Sequence, residues 1–204
     1  ESLEASVRDA RLLLRLPESV EIDSLTTYPS TRTAEGLEVR LGDLVSGQEL
    51  TLGFRLELDT RHTHEPLELV GELLAGPSDA LEHERAAVVF RMLDASDQVH
   101  DDLDTEVAIE VASLVAARAR LHALWLHRGA QLRESAFTLE TAAKSILTWF
   151  DRHPAIKDIA LELHEDAAHY LKKMSERERK RRTFVSFSSS RSRHADGTAV
   201  RHQS

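Results

Sequence analysis

The side chains with the widest chemical reach in this chain are its eleven histidines. His164-Glu165-Asp166-Ala167-Ala168-His169 has the outline of a zinc-protease helix, in which two histidines hold the metal and a glutamate acts as base. That chemistry needs the histidines four residues apart, on one helix face. Here they are five apart, which turns them about 140° from each other at roughly 100° per residue. They read as exposed helix histidines. His62-Thr63-His64 supplies two imidazoles in an expected hairpin loop without a third ligand, and reads as a solvated loop.

Carboxylates cluster between Asp94 and Asp104. A calcium loop of the EF-hand type wants glycine at its sixth position and glutamate at its twelfth. Counting from Asp94, those positions hold Val99 and Thr105. The cluster reads instead as an acidic connector, with Asp104 as the N-cap of a following helix. No Gly-x-Ser-x-Gly elbow is present, and the eight glycines are scattered singly, so no phosphate-cradling loop is legible. The expectation is a protein that is not an enzyme, with no catalytic, cofactor-binding or metal-ligating residue assigned.

Charge is the stronger signal. The chain carries a net charge of −9, yet Lys172 to Ser204 holds ten Lys/Arg against three Asp/Glu, a net of +7. The rest then carries sixteen basic and thirty-two acidic residues, a net of −16. The candidate interaction residues are therefore Lys172, Lys173, Arg177, Arg179, Lys180, Arg181, Arg182, Arg191 and Arg193. A basic stretch can track phosphates, but aromatic residues for base stacking are only 5% of the chain. A protein partner, or the chain's own acidic body, is expected; the alternative is an adaptor or regulator whose basic C-terminal segment binds an anionic partner, with nucleic acid the less favoured choice.

The elements that must position these groups change period along the chain. Val20-Glu21-Ile22-Asp23, Leu37-Glu38-Val39-Arg40-Leu41 and Leu50 to Leu58 alternate apolar and polar, as half-buried strands do. Val7 to Leu16, Leu67 to Leu73 and Ala86 to Met92 complete six expected strands, although the last also reads as a helix. Beyond Asp104 apolar residues recur at helical spacing. One helix runs from Val107 to a stop at Gly129, a second from about Leu132 to Phe150. A third carries one stripe from Ile156 to Met174 and ends in the arginines, where cations oppose the macrodipole. The fold class read from this is α+β: an antiparallel β-sandwich over 1–95, an antiparallel three-helix bundle over 96–182, and a loosely held polar and basic tail over 183–204.

With no cysteine there is no disulfide framework, and the chain reads as cytoplasmic. No apolar run approaches the roughly 20 residues that cross a bilayer. The opening at Glu1 without a signal-peptide pattern reads as a piece of a longer protein.

The segments Val7-Arg8-Asp9-Ala10-Arg11-Leu12, Leu16-Pro17-Glu18-Ser19-Val20 and above all Leu41-Gly42-Asp43-Leu44-Val45-Ser46-Gly47-Gln48-Glu49 resemble the region after the A domain in bacterial von Willebrand factor A-domain proteins. The run Ala116-Ala117-Arg118-Ala119-Arg120 and the ending around Arg191-Ser192-Arg193 are similar to the helical region and tail of the same proteins. The resemblance implies a scaffold or protein-interaction module beside an A domain. It also implies Mg²⁺ in that domain, whose adhesion-site ligands this chain lacks. No cofactor is expected here.

Overall fold

The computed structural model describes residues 5–17, 19–45, 47–58, 66–76, 82–91, 104–150 and 153–191. The elements are β1 (Ala5–Arg15), β2 (Val20–Ser24), β3 (Ser30–Thr33), β4 (Gly36–Val45), β5 (Phe54–Leu58), β6 (Leu67–Ala75), β7 (Glu82–Phe90), α1 (Thr105–Arg128), α2 (Leu132–Phe150), α3 (Pro154–Tyr170) and α4 (Glu176–Ser189).

All strand pairs are antiparallel. Five strands form one sheet in the order β3-β4-β1-β6-β7, and β2 pairs with β5 in a second. Alternation fixes which face is which. Leu14 lies opposite Leu37 and Gly71, and Leu12 opposite Val39 and Leu73, so these share one face. Leu14, Leu37 and Val39 are buried there with Tyr28, packed against Ile22 and Phe54 of the smaller sheet. The other face carries charge, with Arg15 bonded to Glu72 at 3.1 Å and to Glu35 at 2.8 Å.

The first turn of the large sheet depends on glycine. Gly36 has φ of +142°, and a Cβ there would sit 1.9 Å from the Leu14 carbonyl oxygen. A bulge between β1 and β4 places Asp9 at φ 50° near Gly42 at φ 79°, and Asp43 Oδ1 accepts the Asp9 N–H at 3.0 Å. The segment that carries the sequence resemblance is thus built around this bulge. Beyond it, Gln48 Oε1 accepts the Val45 N–H at 3.2 Å.

The helices pack around alanine. Ala112, Ala116, Ala123, Ala136, Ala143, Ala160 and Ala167 join Leu139, Ile146, Ile156, Leu163 and Tyr170 in one buried cluster. Asp104 caps α1 as expected, accepting from Glu106 N at 3.0 Å and Val107 N at 3.2 Å. At the far end the left-handed residue is Ala130, at φ 60°, rather than Gly129. The Gln131 N–H returns to the Leu126 carbonyl at 3.1 Å, closing the helix by a Schellman-type bond.

Three expectations are corrected. Among the described residues there are four helices, not a three-helix bundle, because the stripe to Met174 breaks at Tyr170 and a new helix starts at Glu176. Its N-cap is Ser175, whose side chain accepts the Glu178 N–H at 3.2 Å. The stretch from Thr183, expected to begin a loose tail, is helical through Ser189. The sandwich expectation also changes: five strands face two, and both sheets are open. The segment from Arg85, expected as a strand with a helix as the alternative, lies in strand β7, and β3 was not foreseen. The acidic connector up to Leu103, the His62-His64 pair and Arg193 lie outside the described residues.

Candidate interaction surfaces

The eight expected cations that lie among the described residues separate into two groups. Arg182 belongs to the structure. Its Nη1 donates to Asp166 Oδ1 at 2.6 Å and its Nε to Glu178 Oε1 at 3.2 Å. Asp166 Oδ2 accepts from Arg120 Nε at 2.8 Å, and Arg120 Nη2 donates to Glu162 at 3.1 Å. One carboxylate therefore joins α1, α3 and α4. Burial works against the Arg182 charge, but the Asp166 carboxylate outweighs it and raises the pKa above the usual guanidinium value. The same guanidinium sits 5.5 Å from the centre of the Tyr170 ring. Burial, followed by the Asp166 charge, pushes the Tyr170 phenol up to about 12.

Arg191 is structural too. Its guanidinium lies 4.7 Å from the Tyr28 ring centre and 4.3 Å from that of Phe187, and its Nη2 donates to the Thr27 carbonyl at 3.1 Å. Ser190 Oγ meets Thr27 Oγ1 at 2.7 Å, and Tyr28 donates its hydroxyl to the Arg191 carbonyl at 3.3 Å. The end of α4 is clasped to the loop after β2. A second tie is Arg118, which donates to Asp23 Oδ2 at 2.6 Å and to the Ser24 carbonyl at 3.1 Å.

The other described cations lie at the surface. Lys172, Lys173, Arg177, Lys180 and Arg181 are exposed, and Arg179 is half-buried. Lys180 pairs with Glu176 at 3.1 Å. Among the described residues no ion pair involves Lys172, Lys173, Arg177, Arg179 or Arg181. Phe184, Val185 and Phe187 follow on the same helix, each more than a third exposed.

Aromatic residues supply the site features that charge counting missed. The chain has ten Phe, Trp and Tyr residues. Six of them are exposed: Phe90, Trp125, Phe137, Trp149, Phe184 and Phe187. A scarce residue type spent on the surface marks contact area, since interfaces are enriched in aromatics. The available signal was positional, because Trp125 and Phe137 fall off the buried helical stripes.

Several cavities lie beside the helices. One of about 500 Å³ opens between α1, α3 and α4 and is lined by Arg120, Asp166, Tyr170, Arg182 and Ser186. Arg120, Asp166 and Arg182 are already committed to one another, whereas Arg181 at its border is not paired among the described residues. Another of about 670 Å³ lies between the β2–β5 pair and the α1–α2 hairpin, walled by Leu25, Phe54, Val115, Trp149 and Phe150. His164 pairs with Glu140 at 2.9 Å, and His169 bonds the Glu165 carbonyl at 2.9 Å, so the two sit in separate surroundings. No group of three or more metal-ligating side chains occurs among the described residues. No helix among them is long and apolar enough to cross a membrane.

No protein-family description matches the chain, and no curated protein does. Two solved structures are similar to it. A von Willebrand factor type A protein from Catenulispora acidiphila is 12% identical at a TM-score of 0.46, over 88% of this chain and 39% of that one. The ArnB paralog VWA2 from Sulfolobus acidocaldarius is 14% identical at a TM-score of 0.33, over 82% of this chain and 44% of that one. The chain spans less than half the length of each.

Proposed function

We propose that this chain is a non-catalytic, cofactor-free scaffold module of a von Willebrand A-type protein, working in the cytoplasm, and that it binds a protein partner through its larger sheet. The family assignment rests on the Leu41–Glu49 segment, and the cytoplasmic one on the lack of cysteine. The observation that carries the binding role is the condition of β7.

The two edges of the five-stranded sheet differ. Strand β3 is four residues long, polar and wholly exposed, a guarded edge. Strand β7 has nine residues and, among the described residues, pairs only with β6. Every residue from Glu84 to Phe90 is exposed, with Val88 at 50%, Val89 at 54% and Phe90 at 42%. Val88 lies opposite Leu69 and Phe90 opposite Leu67, on the face that elsewhere holds Leu12 and Leu14. The core face of the sheet therefore runs on past the two strands that cover it. A strand from a partner protein, hydrogen-bonded along β7 and turning apolar side chains onto Leu69 and Val88, would complete the sandwich.

A photo-crosslinking residue placed at Val89, with the same residue at Thr31 on β3 as control, tests this in extract of the source cells. The expected result is one saturable adduct from position 89. Excess unlabelled chain should compete it away, and chain carrying Val88→Lys with Phe90→Lys should not. Equal labelling from both edges, or competition by the double variant, overturns the reading.

A further inference from the structure

Helix α4 carries a second docking face, independent of the sheet. At roughly 100° per residue, Arg177, Lys180, Phe184 and Phe187 fall within roughly 80° of arc. They form one exposed stripe, with Arg181 at its border. Charge and apolar surface are segregated along this stripe rather than around the helix. Its N-terminal half is cationic, and its C-terminal half presents Phe184 at 51% and Phe187 at 40% exposure. Arg177 and Arg181 have no ion-pair partner among the described residues, whereas Arg182, one residue on, is held by Asp166 and Glu178. The inward-facing Arg182 is thus paired, whereas on the outer side Lys180 pairs with Glu176 and Arg177 and Arg181 stay open.

We infer that this face binds a short acidic segment of a protein, with carboxylates followed by apolar side chains. Guanidinium groups match carboxylates in a bidentate fork, and the exposed phenylalanines add area that charge alone does not need. A longer polyanion fits less well. Residues outside Lys172–Ser204 carry a net charge of −16, which repels a nucleic acid strand or an anionic bilayer extending past the patch. A peptide confined to the patch escapes most of that repulsion, because charge is screened within about 10 Å at ordinary salt. A bilayer also meets a mismatch, since a helix lying flat on it would press Lys180 and the paired Glu176 to the depth of the phenylalanines.

Fluorescence anisotropy on the full chain decides the matter. The probes are a labelled peptide of several glutamates followed by leucine and phenylalanine, the same glutamates followed by serines, a single-stranded oligothymidylate, and phosphatidylserine vesicles. The glutamate–leucine–phenylalanine peptide should bind most tightly, and its affinity should fall as salt rises. Arg177→Glu with Arg181→Glu should weaken it at least about tenfold. Phe184→Ser should erase the advantage over the serine peptide. Arg133→Glu, an exposed arginine on α2, should leave both affinities unchanged, as should every variant the circular dichroism and melting temperature. If the Arg177→Glu, Arg181→Glu chain binds like the parent, or if oligothymidylate or vesicles bind more tightly through the same arginines, the inference is wrong.

Discussion

The helical and sheet regions solve the problem of burying apolar surface in opposite ways. Nine of the fifteen buried residues described in the helical cluster are alanine. Small side chains let helices approach closely, so a modest apolar content closes the core without large residues. In the sheet region the buried cluster is only Leu14, Tyr28, Leu37 and Val39. On β6 Leu67 and Val70 are buried, but Leu69 and Leu73 are only half-buried, and β7 is exposed from Glu84 to Phe90. The helical core is closed, although Trp125, Phe137, Trp149, Phe184 and Phe187 stay exposed on helix surfaces. The sheet ends in the exposed Val88, Val89 and Phe90 of β7, the strand proposed above to take a partner.

The sharpest way to break this comparison is to damage the closed side. Leu139 is fully buried between helices. Leu139→Ala should cost about 2–5 kcal/mol of unfolding free energy, measured by urea titration, because neighbouring alanines cannot expand into the cavity. A cost under about 1 kcal/mol would mean that the helical core is not packed as described. The next effect appears at high pH. The Tyr170 pKa is raised from 10.0 to about 12 in the fold. The folded state favours the protonated phenol, so this contribution is whole below pH 10 and is lost as pH rises toward 12. Two units correspond to about 2–3 kcal/mol. Stability measured between these limits should fall more steeply for the parent than for Tyr170→Phe; parallel curves would contradict the buried phenol.

How much of this was readable beforehand follows from how local each determinant is. Helices α1 and α2 were legible because Asp104, the apolar stripe and Phe150 are all local signals. The strands at β1, β2 and β4 were legible from alternation. What failed was the reading of Ile156–Arg182 as one helix. The stripe does continue to Met174, which packs against the helical cluster from outside α3, so periodicity alone could not see the break. The signal lay in Ser175-Glu176-Arg177-Glu178, which has the spacing of a capping box. The cations were picked out by charge density alone, which does not show that Arg182 and Arg191 are fixed, since Asp166 and Tyr28 reach them across the fold. Strand β3, with no apolar residue, offered no pattern. Ser175→Ala should cost about 1 kcal/mol and lower the helical signal on mild heating. An unchanged melt would indicate that α4 is held by Asp166 and the Thr27 clasp alone.

The smallest expected effect is the most informative about the open side. Val88 is half exposed although it lies on the apolar face of the sheet, opposite Leu69. If nothing in this chain covers it, Val88→Lys removes little buried area, and the lysine stem can lie along Leu69 with its ammonium in water. Stability should then change by no more than about 0.5 kcal/mol, as for surface positions generally. The same substitution should raise solubility by guarding the edge. A loss comparable to that of Leu139→Ala would mean that Val88 is buried in solution by this chain itself. The two regions would then be equally closed, and β7 would have no partner to wait for.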